Sequence, residues 1–221
     1  MKETGTHISV ILDRTGSMES IRDDIIGGFN VFLDEQKKQP DEATLSLVQF
    51  DTQDPFEVIH DFKPIGGVPG LTRETYVPRA STPLLDAVGR GINDLEARLG
   101  KMPAKKRPGK VVVVIVTDGQ ENSSREFKKD RIEKMIKEHE EKDGWQFVFL
   151  SADLGAFQDA HGYGIRMGKR IFFDKSAMGT GRVWASVSTR VSQFRQGEVA
   201  EVEFKQEDRD KQDELSGRDG S

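Results

Sequence analysis

Three short stretches of this 221-residue chain gather oxygen-bearing side chains where a sheet would turn into a helix. The first, DRTGS, alternates Asp13, Thr15 and Ser17 directly after the apolar run His7–Leu12 and just ahead of a helical pattern. The second, RASTPLLDA, sets Ser81 and Thr82 before a proline and an apolar helix, and the third, IVTDGQENSS, places Asp118 directly after the run Lys110–Thr117. Ligands of open α/β sheets gather where loops leave the carboxyl ends of strands, so strand ends loaded with oxygen groups mark a site. Each stretch also has an ordinary reading: Ser17 as a helix N-cap, STP as a second cap with proline in the first turn, and Asp118-Gly119 as a simple turn. Arg14, inside the first loop, either faces a partner's acidic surface or is simply solvated.

Other chemistries find no support. The chain has no cysteine, which excludes disulfides, thiolate nucleophiles and Cys-based zinc sites and leaves oxygen and imidazole. His7, His60, His139 and His161 show no metal-ligand spacing and are expected at partly buried or surface positions. GYGIRMGKR (Gly162–Arg170) resembles a phosphate loop only superficially: its spacing is too long by one, Arg170 stands where a Ser or Thr should follow the lysine, and a strand follows. A G-x-S-x-G nucleophile elbow is absent.

The elements that would hold the three loops follow from periodicity. Short apolar runs at His7–Leu12, Thr44–Phe50, Phe56–Phe62, Lys110–Thr117, Trp145–Leu150 and Arg170–Phe173 predict strands. KVVVVIVTD is apolar on both faces, as expected of a central parallel strand covered by helices on both sides. Helical stripes run through Ile21, Ile25, Phe29 and Phe32; through Leu84, Leu85, Val88, Ile92 and Leu95; through Ile132, Met135, Ile136 and His139; and through Trp184, Val187, Val191 and Phe194. SLVQFDTQDPFEVIH reads as a hairpin. The order predicts a Rossmann-like, doubly wound α/β fold: a mostly parallel central sheet with one antiparallel edge strand and helices on both faces.

Composition bounds the rest. With 33 Lys+Arg against 38 Asp+Glu the net charge is -5, which offers no general basis for nucleic-acid binding. No stretch approaches the roughly 18 apolar residues of a membrane span, and MKETGTHISV lacks an apolar signal core, so a cytoplasmic protein is expected. GKMPAKKRPGK (Gly100–Lys110) reads as a solvated connection. The chain divides into a folded domain over 1–204 and a charged tail over 205–221, KQEDRDKQDELSGRDGS, whose single leucine predicts disorder.

Taken together, the three loops resemble the von Willebrand factor A (VWA) domain with its metal-ion-dependent adhesion site: an Asp-x-Ser-x-Ser loop, a distant threonine opening a helix, and a distant aspartate after a central strand. Asp13, Thr15, Ser17, Thr82 and Asp118 match in type and order, with Thr15 replacing the first serine while keeping a hydroxyl. The resemblance spans roughly residues 7 to 196, and FVFLSADLGAFQDAHGYGI with MGKRIFFD is similar to cytosolic bacterial and phage members.

The resemblance implies a non-catalytic binding module in which these five residues hold Mg²⁺, with Mn²⁺ or Ca²⁺ as alternatives, directly or through water. Mg²⁺ takes about six oxygens, so the set leaves an open position. In the family, a partner protein's Asp or Glu fills it. Nothing in the sequence speaks for a nucleic-acid or membrane partner, or fixes the oligomeric state. The alternative is a Mg²⁺-dependent phosphohydrolase of haloacid-dehalogenase-like type with Asp13 as nucleophile. That chemistry wants a second aspartate two residues on, where this chain has Thr15.

Overall fold

The computed structural model describes residues 5–216. Six strands form one sheet: β1 (Thr6–Asp13), β2 (Ala43–Phe50), β3 (Glu57–Pro64), β4 (Lys110–Thr117), β5 (Gln146–Ser151) and β6 (Arg170–Phe172). Six α-helices surround it: α1 (Arg22–Lys37), α2 (Leu84–Lys101), α3 (Lys129–Asp143), α4 (Leu154–Asp159), α5 (Ala177–Arg195) and α6 (Gln206–Ser216). The strand order is β3-β2-β1-β4-β5-β6, every pair parallel except the β2–β3 hairpin at one edge. This is the expected Rossmann-like architecture. All six predicted strands appear, most within one residue of their expected bounds.

Alternation along the central strands splits the core in two. Ile8, Val10 and Leu12 of β1 and Val112, Val114 and Val116 of β4 face the side covered by α1 and α5. Ile11, Val111, Val113 and Ile115 face α2 and α3 on the other. Burial on both faces is why β4 reads as an unbroken apolar run. Beneath α1 and α5, Trp184 meets Phe29 edge-on at 6.0 Å and Phe32 at 5.6 Å. The two helices approach closely at Gly28, where a Cβ would fall 2.0 Å from Trp184 Cδ1, so only glycine fits. Among the described residues no helix is long and apolar enough to cross a membrane.

Two expectations change. Between β5 and β6, where no helical stripe is predicted, lies the six-residue α4, too short to leave a periodic signature. More important, residues 206–216 of the predicted disordered tail form α6, and residues 217–221 lie outside the described residues. Composition misled because α6 docks through polar groups. Asp208 and Gln212 are buried; Arg190 donates to Asp208 Oδ2 through Nε (2.9 Å) and Nη2 (2.6 Å), and Gln212 donates to the Gly179 carbonyl at 3.0 Å. Just upstream, Val202 and Phe204 enter the core, so the ordered part runs past residue 204.

Candidate functional site

Strands β1 and β4 are adjacent, and the helices that follow them lie on opposite sides, so their carboxyl ends form the crevice where doubly wound sheets take ligands. Asp13 closes β1 and Asp118 follows β4. The first loop turns because the Thr15 amide donates back to Asp13 Oδ1 at 2.7 Å and the Met18 amide to the Thr15 carbonyl at 3.0 Å, opening a 3-10 turn over Gly16–Ile21. The second loop is pinned to it by the Gly16 amide, which donates to the Ala80 carbonyl at 3.0 Å. Ala80 adopts a left-handed φ of 60° to present that carbonyl, a conformation that costs roughly 1–2 kcal/mol for a residue with a Cβ.

The hydroxyls at these helix starts do not cap. Neither the 3-10 turn nor α2 has a side-chain hydrogen bond at its N-cap. Thr82 Oγ1 donates to Thr15 Oγ1 at 3.4 Å, Thr15 Oγ1 lies 3.3 Å from Ser17 Oγ, and Ser17 donates to Asp118 Oδ1 at 2.6 Å. Each hydroxyl has one proton, so Thr15 is the donor to Ser17 and the chain runs towards Asp118. Asp13 Oδ2 accepts from Thr117 Oγ1 at 2.6 Å. The structure therefore brings together all five residues singled out in the sequence, and it sets aside the capping readings of Ser17 and Thr82.

Two observations bear on whether a hard cation suits this cluster. Its donor set is two carboxylates and three hydroxyls, all oxygen; among the described residues no group of three or more His, Asp or Glu side chains is placed to hold an ion. A Cβ on Gly119 would lie 3.5 Å from Thr82 Oγ1 and 3.6 Å from Ser17 Oγ, so this glycine borders the hydroxyl cluster at ordinary contact distance. The electrostatics agree. Burial pushes the Asp13 carboxyl up to about 7; hydrogen bonds from Thr117 and Thr15 oppose the rise and the Asp118 charge adds to it. Asp13 has no compensating cation among the described residues, and a buried carboxylate so placed favours one. The donor set fits one.

Several contributors to the site have no sequence signature. Tyr76 donates to the Asp13 carbonyl at 2.7 Å. Asn122 Oδ1 accepts from the Thr82 amide at 3.0 Å and the Asn122 amide donates to the Thr82 carbonyl at 3.1 Å, fixing the threonine. Glu121 accepts from the Leu85, Ser123 and Ser124 amides, tying the loop after Asp118 to α2. Lys175 reaches Asp118 Oδ2 at 2.9 Å from the loop between β6 and α5. Arg14 is neither partner-facing nor solvated: it is 5 % exposed and donates to Asp51 Oδ2 at 2.7 Å. Lys169 of the apparent phosphate loop is likewise buried, against Glu140 at 2.7 Å. His7 stacks on Phe62 and His139 on Trp145, both as packing residues away from the cluster.

No family model and no curated protein matches the chain. Solved structures do. Proximal thread matrix protein 1 from the mussel byssus, with a zinc-occupied MIDAS motif, aligns at TM-score 0.56 and 16% identity over 85% of this chain and 46% of its own. The manganese-loaded Plasmodium vivax TRAP protein aligns at 0.53 and 13% identity over 78% and 70%, and the von Willebrand factor type A protein from Catenulispora acidiphila at 0.54 and 12% over 85% and 42%. The chain spans under half the length of the byssus and Catenulispora proteins. At these identities the likeness is one of fold: the sheet and its surrounding helices are VWA-like.

Proposed function

We propose that this chain is a metal-dependent protein-binding module in which Asp13, Thr15, Ser17, Thr82 and Asp118 hold Mg²⁺ and a partner protein supplies an Asp or Glu carboxylate. One observation carries the reading: five oxygen side chains from three separated segments converge, with hydroxyls that could have capped helices turned on one another and on Asp118 instead. Two structures of like fold, the byssus protein and TRAP, hold zinc and manganese respectively. When bound, the ion supplies a Lewis-acidic position that accepts one more oxygen anion. The protein's part is to aim the donors. Thr117 and the Thr15 amide orient the Asp13 carboxylate, while Asn122 holds Thr82 in place through both of its backbone groups.

Nothing favours the phosphohydrolase. The side chain two residues after Asp13 is a threonine rather than a carboxylic acid that could protonate a leaving group. We therefore read the module as non-catalytic and cytoplasmic, akin to bacterial or phage members of the family.

Calorimetric titration of the full chain with Mg²⁺ or Mn²⁺ tests this reading. One site is expected in the wild type and none in Asp13→Ala. Thr82→Ala should keep the fold and much of the ion affinity but weaken a captured partner, measured by surface plasmon resonance in magnesium and in EDTA. Unchanged ion binding in Asp13→Ala, or partner affinity indifferent to EDTA, overturns it.

A further inference from the structure

Among the described residues, Lys175 is the one basic side chain that pairs with either carboxylate of the cluster. Its Nζ takes Asp118 Oδ2 while Ser17 takes Oδ1, so the buried carboxylate is shared between a hydroxyl inside and an ammonium outside. The Asp118 side chain is 0 % exposed and the Lys175 side chain 42 %, which places the ammonium at the solvent side of the site.

The loop that carries Lys175 is held at both ends. Phe173 donates its amide to the Ser151 carbonyl at 2.9 Å, and Ser176 caps α5 by accepting from the Gly179 amide at 3.1 Å. These contacts fix the backbone on both sides of Lys175, and its side chain is held by the ion pair with Asp118. The other nearby cations are spent elsewhere: Arg14 and Arg79 both donate to Asp51, at 2.7 and 2.9 Å.

Resting on the metal-site reading above, we propose that Lys175 sets the site's selectivity for an anionic partner group: it weakens the resting hold on the divalent ion and leaves the loaded site with a net positive charge. The charge count gives the reason. Asp13 and Asp118 together would neutralise a divalent ion, so the site's preference for a carboxylate over an uncharged oxygen ligand would rest on the ion's own Lewis acidity, with no net positive charge to add to it. Lys175 raises that sum by one. An arriving carboxylate then meets the ion and an ammonium at once, whereas an amide gains only the ion. The same ammonium draws on Asp118 and repels the incoming ion, so metal affinity falls as anion selectivity rises.

The test uses the full chain with Mn²⁺ as the ion, acetate as the anionic probe and acetamide as its neutral counterpart, read by water-proton relaxation of bound Mn²⁺. Lys175→Met, which keeps the length and loses the charge, should bind Mn²⁺ about fivefold more tightly and acetate about fivefold more weakly, the scale of a partly screened charge. Lys175→Arg should stay near wild type in both, and acetamide should not distinguish the three proteins. A circular dichroism melt confirms that each variant is folded. Mn²⁺ bound normally but with acetate indifferent to Lys175→Met removes the lysine's role and leaves the metal site standing. Failure of the wild type to bind Mn²⁺ at all removes both.

Discussion

Asp13 and Asp208 are both buried carboxylates, yet the protein surrounds them differently. Asp208 receives Nε and Nη2 of Arg190 and the Lys205 amide at 2.8 Å, an ion pair closed by further hydrogen bonds. Asp13 receives one hydroxyl and one amide, with no cation on it among the described residues and a second carboxylate close by. The first arrangement is complete and holds α6 against α5. The second is short of positive charge, and its carboxyl has been pushed up to about 7 by burial as a result. Burial alone does not separate a clamp from a site; the completeness of the compensation does.

The largest expected effect tests the complete side. Arg190→Met would strand Asp208 without its partner, at a cost of about 3–5 kcal/mol as for other broken buried pairs. Urea melts should show it, together with faster amide exchange in α6. A loss below about 1 kcal/mol would mean that Asp208 is hydrated and the clamp is not closed.

A second test sharpens the incomplete side through pH. With its folded value near 7, Asp13 in the metal-free protein keeps a proton that the unfolded chain gives up, so its contribution to stability is full below about pH 4 and is lost as pH rises through 7. His7 runs the opposite way: burial, aided by the Arg98 charge, lowers it to about 3, so its contribution is full above about pH 6.5 and is lost as pH falls towards 3. Between about pH 4 and 6.5 the two slopes oppose each other. In EDTA, His7→Phe should gain about 3 kcal/mol relative to wild type as pH falls across that window, and Asp13→Asn should lose about as much. Denaturant titrations at several pH values decide it. Curves parallel to wild type would mean that neither group is as perturbed as its burial implies.

The smallest effect concerns a group that only positions. Asn122→Ala removes the acceptor of the Thr82 amide and should cost about 1 kcal/mol of stability while weakening Mg²⁺ binding by calorimetry. Stability lost with ion affinity unchanged would show that Thr82 holds its place without the amide.

Much of the frame was legible before any coordinates. The strands announced themselves because β1 and β4 are buried on both faces, and the stripe through Trp184, Val187, Val191 and Phe194 lies wholly in the core. Helix α6 escaped because its anchors, Asp208 and Gln212, are residue types that composition assigns to solvent. The oxygen residues of the site could be picked out because their spacing follows strand ends. Arg14 was misplaced for the converse reason: nothing local tells that its partner is Asp51, 37 residues away on the neighbouring strand's loop.

What the sequence determined by itself is whatever local periodicity and short spacing encode: six strands, the major helices, the hairpin edge, and an oxygen-only set at Asp13, Thr15, Ser17, Thr82 and Asp118. Only the tertiary structure decided that the hydroxyls of Thr15, Ser17 and Thr82 bond one another instead of capping, that Arg190 closes on Asp208, and that Lys175 meets Asp118 across 57 residues. The physical reason is that a hydrogen bond or ion pair needs its partner within about 3 Å, and for groups far apart in the chain that distance is set by packing of the sheet and helices, not by any local preference of the residues themselves.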